Sequence, residues 1–192
     1  MATISIEKII VKAFIQEVLI NNIGNLVNTG NHYLGFGTLT QAIVLLGAII
    51  EDKEVESSQN SASEFHTRNK SRKRFCKSLS LFSDPRYIHY CPECKNDTTF
   101  KSNYDLYDNL RCGFAHQMKP TGNIALTTLI ESYIDGTAHL EIDPKSGNLI
   151  IVSEILYRDL KETCEKIIEM IDNGQINHTK PYGDFISVLS YN

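Results

Sequence analysis

Much that would classify this chain quickly is missing from it. It has no Gly-rich phosphate loop, which argues against a nucleotide-hydrolysing enzyme of that kind, and no internal repeat. Its opening, Met1-Ala2-Thr3-Ile4-Ser5-Ile6-Glu7-Lys8, lacks the basic start and apolar run of a secretory signal. The most apolar stretch, Ala42 to Ile50, is short of what a bilayer requires. Five cysteines, an odd number and without an export signal, point to a reducing cytoplasm rather than a disulfide framework. A cytoplasmic protein with no membrane segment is the expectation. Nor is there the positive excess of a protein that coats nucleic acid, since the net charge is −4.

What is present suits one soluble domain. The chain has 192 residues, 42% of them hydrophobic and 22% charged, enough for a single sizeable core. The charge is uneven. Residues 68–77 hold Arg68, Lys70, Arg72, Lys73, Arg74 and Lys77 and no acid; removing those six cations from a net −4 leaves the rest at −10.

Periodicity predicts a mainly helical fold. Ile9, Ile10, Phe14, Val18, Leu19, Ile23 and Leu26 recur at helical spacing over about 5–28, and Gly30 is placed to cap that helix in a left-handed turn. Thr38 or Thr40 opens a second helix to about Asp52. Its 42–50 core is apolar all round, hence central, and Gly47 and Ala48 admit a close neighbour. Residues 52–66 are polar and serine-rich and read as a flexible loop. The basic segment runs into Phe75, Leu79 and Phe82 as a third helix with one apolar stripe and one positive face, ended by Ser83-Asp84-Pro85. A fourth helix covers about 103–118. Residues 138–152 read as a β-hairpin turning at Asp143–Asn148. Ser153 is placed to N-cap a fifth helix to about Asn173, with Ile155, Leu156, Leu160, Cys164, Ile167, Ile168 and Ile171 inward. Residues 174–192 form a tail with a weakly alternating Phe185–Leu189. The sum is a bundle of four or five helices with a small β-hairpin appendage.

The fourth helix carries Arg111 and His116. At about 100° per residue, Leu106, Leu110, Gly113 and Phe114 form its core arc, while Asn109, Cys112 and His116 fall within about 40° of Asp105, away from that arc. Arg111 falls on the rim beside Asp108. Two surface residues, with Arg111 paired to Asp108, are the plain interpretation. Asn109, Cys112 and Gly113 are poor helix-face residues, however, and Gly113 costs about 1 kcal/mol relative to alanine. A small, neutral face suits the close approach of another surface.

The run Leu106-Tyr107-Asp108-Asn109-Leu110-Arg111-Cys112-Gly113-Phe114-Ala115-His116-Gln117 resembles the signature helix of the HEPN superfamily, whose motif is Arg, four to six residues, then His. The order of helices is similar as well. The resemblance implies a HEPN-type helical bundle that forms a homodimer, and a metal-independent endoribonuclease of the toxin–antitoxin or defence kind, with a protein antitoxin as partner. Its alternative is a non-catalytic HEPN-like module that binds nucleotide, RNA or protein. Carried over, Arg111 and His116 are the catalytic pair. Histidine titrates near neutral pH and suits proton transfer, and a guanidinium fork suits a crowded phosphorane. One departure stands out: the residue after the Arg is commonly polar in the family, and here it is Cys112. Asn109 and Asp105 are the candidates to take over its supporting role.

The basic run Arg68, Lys70, Arg72, Lys73, Arg74 and Lys77 is a candidate RNA-backbone guide, its alternative a solvated helix face. Phe75, Tyr87 and Tyr90 suit core packing better than base stacking. No cofactor is expected. The alternative is zinc at Cys91 and Cys94, with Cys76 and His89 or His66 completing four ligands. Glu51 and Asp52 read as helix-end charges, and Cys164 as core filler.

Overall fold

The computed structural model describes residues 6–51, 70–92 and 102–176. The loop expected at 52–66, Arg68, His66, Asp52, Cys94 and the tail expected beyond residue 176 lie outside the described residues.

The first helix runs without a break as α1 (Ile6–Phe14), a π-helical stretch (Ile15–Asn22) and α2 (Ile23–Asn28). The wider π turn shifts the inward stripe: Val11, Phe14, Ile15, Leu19, Ile20, Ile23 and Val27 are buried, whereas Ile9 is exposed. Gly30 takes a φ of 83°, the left-handed turn its position predicted.

Helix α3 (His32–Glu51) starts ahead of Thr38 and Thr40. Those hydroxyls do not cap it. Thr38 donates to Gly35 O at 2.9 Å and Thr40 to Gly37 O at 2.8 Å, back along a helix already formed. By length and composition α3 could cross a membrane, a longer apolar element than 42–50 alone. Most of it is buried inside the fold, consistent with the predicted central helix.

Helix α4 (Ser71–Leu79) crosses α3 at Gly47, where a Cβ would lie 2.0 Å from Arg74 O. The predicted close approach is therefore real, and α4 is what approaches. After α4, the Asp84 carboxylate accepts from Arg86 N–H at 2.9 Å and starts α5 (Arg86–His89). A Cys76–Cys91 disulfide ties α4 to the residues after α5, contrary to the expectation of free thiols; the fold brings the two Cα atoms to 5.7 Å.

The predicted fourth helix is composite: a 3₁₀ turn (Ser102–Tyr104), a π segment (Leu106–Cys112) and α6 (Gly113–Gln117), closed by Met118 at φ 57°. A strand and a helix not foreseen follow, β1 (Ile124–Thr127) and α7 (Leu129–Asp135), the latter opened by a Thr128–Glu131 capping box. Strand β2 (Leu149–Val152) pairs parallel with β1, Ile124 opposite Leu149.

The β-hairpin is thus corrected. Its turn exists, with Asp143 N–H donating to Asn148 O at 2.9 Å, but only one antiparallel bridge, Ile142–Leu149, forms. Leu140 bends the chain at φ 58°. All four β2 residues are buried, as expected of an uninterrupted apolar run in a parallel pair. Helix α8 (Ser153–Asp172) buries Leu156, Leu160, Cys164, Ile167 and Ile171 as predicted, with Ile155 and Ile168 half-buried. Val152, not Ser153, holds the cap position; Ser153 Oγ is engaged with His32 Nδ1 at 2.8 Å. The fold is mainly α with a small two-stranded parallel sheet, and one apolar core joins α1 to α8.

Candidate functional site

The Arg111–His116 element gets its shape from three local choices. Asp105 is extended, and its carboxylate accepts from Asp108 N–H at 3.0 Å, which starts the π segment. Leu106, Leu110 and Phe114 anchor the inner side, each almost wholly buried. Gly113 allows the chain to fold back, since a Cβ there would lie 2.5 Å from Lys119 O. The close approach inferred from Gly113 is therefore made by this chain's own 119–121 segment.

The wider turn undoes part of the helical wheel. Asp105 does not share an exposed face with His116. It is buried, and Arg72 Nη1 donates to it at 2.6 Å. Asn109 is also engaged, its Oδ1 accepting from Thr121 Oγ1 at 3.1 Å. Neither is bonded to His116. Cys112 Sγ lies 3.9 Å from Arg111 Nη1, so the thiol faces the arginine.

The partner expected for Arg111 is taken as well. Asp108 Oδ1 lies 2.7 Å from Arg72 Nη2, so Arg72 collects both acids of the element. Burial opposes the Arg72 charge, but the bond to Asp105 and the two carboxylates outweigh it and raise its pKa. Arg72 also lies 4.8 Å from the Tyr107 ring centroid, and Arg111 5.7 Å from it. Burial raises the pKa of the Tyr107 phenol. Arg111 is left with neutral partners: the Tyr107 ring, Cys112, and Gln41 Oε1 at 3.3 Å from its Nη2. Its Nε is buried with no hydrogen-bond partner among the described residues. Among the described residues, Arg111 thus has no carboxylate against it. His116 is exposed on the following α6 turns.

The basic run divides. Arg74 is fully buried, its Nε 3.1 Å from Glu51, which makes Glu51 the more exposed half of an ion pair. Arg72 is buried as described. The expected positive face is corrected on both counts: two positions apart, these cations leave α4 about 200° apart, Arg72 toward Asp105 and Asp108 and Arg74 toward Glu51 of α3. Lys73 is exposed and Lys77 and Lys70 half-buried. Phe75 and Tyr87 are core residues, and Tyr90 is half-buried against the core.

Of the proposed zinc ligands, Cys94 and His66 lie outside the described residues. Cys76 and Cys91 are bonded to each other, and His89 is exposed. Among the described residues, no three His, Cys, Asp or Glu side chains are grouped to hold a metal.

Two features escaped the sequence. One is a groove of about 630 Å³ between the first helix, α3 and α6, lined mainly by apolar side chains and bordered by Gln41 and Ala115. The other is a buried polar chain. His139 Nδ1 accepts from Val152 N–H at 2.9 Å, so its proton sits on Nε2, 2.7 Å from Tyr87 Oη. Tyr87 in turn donates to Asp159 at 3.0 Å. Burial pushes His139 down to about 4, and raises the pKa values of Tyr87 and Asp159. Cys164 is buried without a polar role, and its thiol is pushed up to about 12.

Comparison of the chain with protein families, with curated proteins and with solved structures found no match.

Proposed function

We propose that the chain is a HEPN-like, metal-independent endoribonuclease that acts as a homodimer, with Arg111 and His116 as its catalytic pair. The observation that carries this reading is the charge of Arg111. Arg72 occupies Asp105 and Asp108, so among the described residues the Arg111 guanidinium has only neutral partners, which leaves it open to an anion. In the reaction, the RNA 2′-OH attacks the adjacent phosphorus, and the P–O5′ bond breaks to leave a 2′,3′-cyclic phosphate. A His116 imidazole takes the 2′ proton, and His116 of a second copy delivers one to the departing 5′ oxygen. Arg111 holds the phosphorane oxygens with its fixed fork.

A second reading, a non-catalytic HEPN-like module that binds RNA, nucleotide or a protein partner, is favoured by one observation. No described residue bonds to His116, and Asp105, Asn109 and Cys112 are directed elsewhere. One assay separates the two. Purified chain incubated with RNA in EDTA should yield 2′,3′-cyclic phosphate ends, with activity lost in both Arg111→Ala and His116→Ala. Cleavage that persists in both variants removes the first reading. RNA binding without cleavage, unchanged in His116→Ala, selects the second.

A further inference from the structure

We propose that the groove beside the Arg111 element binds a single-chain fatty acid, its acyl chain in the groove and its carboxylate at Gln41 and Arg111. The volume of about 630 Å³ lies within the roughly 300–1,000 Å³ typical of small-molecule sites. The lining follows α3 from Leu34 to Leu45, about 16 Å of helix, and Val18, Leu19 and Ile23 of the first helix form the opposite wall. An elongated apolar slot of this kind suits a flexible hydrocarbon chain.

Charge identifies the head group. Three lining side chains carry polar groups along α3, and two are engaged: Tyr33 donates to Met118 O, and Thr38 to Leu34 O and Gly35 O. Gln41 differs. Its carbonyl accepts from Arg111, which leaves its amide N–H₂ as a donor at the rim. Beside it is a guanidinium with no carboxylate among the described residues. One uncompensated positive charge and an adjacent amide donor match one carboxylate, with its single negative charge and two acceptor oxygens. Binding uses the equilibrium ensemble of the folded chain and needs no RNA.

Calorimetric titration with decanoate and with 1-decanol tests the assignment. Decanoate should bind at one per chain, and the alcohol at least about tenfold more weakly, because it lacks the charge-assisted bonds. Arg111→Met should lower decanoate affinity to that of the alcohol and leave alcohol binding unchanged. Gln41→Leu, at an exposed position, should weaken decanoate alone and serves if Arg111→Met does not fold. Ala115→Trp, exposed on the groove wall, should abolish binding of both without changing the thermal unfolding curve. Absence of decanoate binding to the unaltered chain, equal affinity for the alcohol, or full decanoate affinity in Arg111→Met and Gln41→Leu would overturn the proposal. RNA cleavage is read in a separate assay, so either can fail alone.

Discussion

At the residue scale, His139 shows how a buried hydrogen bond sets chemistry. Its Nδ1 is committed to Val152 N–H, and protonation there would place two protons face to face. Burial is the main cause of the shift, with the charges of Arg86 and Arg158 assisting, and the pKa falls from the usual 6.5 to about 4. Unfolded, the ring regains its ordinary affinity for protons. Between pH 6.5 and about 4 the unfolded chain therefore binds the extra proton and the native chain does not, so stability is complete above pH 6.5 and declines as the pH falls through that window. The loss amounts to about 3 kcal/mol at the acid end. His139→Gln keeps an acceptor and a donor without the titration. Its urea midpoint should vary less with pH between 6.5 and 4 than that of the unaltered chain; parallel pH curves for the two proteins would contradict this account. Nothing in the sequence around His139 indicates the effect, because Tyr87, itself bonded to Asp159, reaches it from a distant element.

At the element scale, α4 and the π segment are joined through Arg72. Its guanidinium binds two acids of the neighbouring element and lies against Tyr107. Arg72→Met keeps the bulk and removes the charge, leaving Asp105 buried without its ion-pair partner. A destabilisation of about 3–5 kcal/mol is expected from chemical denaturation, against less than about 0.5 kcal/mol for exposed Lys73→Ala. Similar values for the two would show that Asp105 has another source of compensation. The same element shows where pattern-reading succeeds and where it does not. Leu106, Leu110 and Phe114 were correctly assigned inward because an apolar stripe survives a modest change of helical pitch. A uniform 3.6-residue turn would put Asp105 on the outer face. Its extended backbone and the π turn after it take Asp105 off that face. The predicted hairpin failed for a related reason. An apolar run and a good turn describe β2 locally, but they do not say which strand will pair with it, and β1 does.

At the scale of the whole molecule, the Cys76–Cys91 bond closes a loop of sequence separation 15 and fastens α4 to the segment after α5. A loop of about that length contributes roughly 3 kcal/mol through the unfolded state. Dithiothreitol should shift urea unfolding by about that amount, and thiol titration in denaturant should rise by two after reduction. A transition that reductant leaves in place would show that the core holds α4 and α5 without the bond. Much of the helical plan was legible beforehand, since the order of long helices, the buried centre of α3, the Gly30 turn and the α8 stripe all follow from spacing. Of the candidate site, the residues were legible and their partners were not. Arg111 and His116 stand out in the sequence, yet whether Arg111 is neutralised depends on Arg72, some forty positions earlier in the chain.

The sequence by itself determined which segments are helical and which side chains are apolar enough to bury, because those depend on residue type and on neighbours three or four positions away. Tertiary structure alone decided that Arg72 and Arg74 turn inward, that Cys76 meets Cys91, and that among the described residues Arg111, beside an apolar groove, has no carboxylate against it. Coulombic pairing and cavity shape depend on distances between elements, and those are set only when α3, α4 and the π segment pack together.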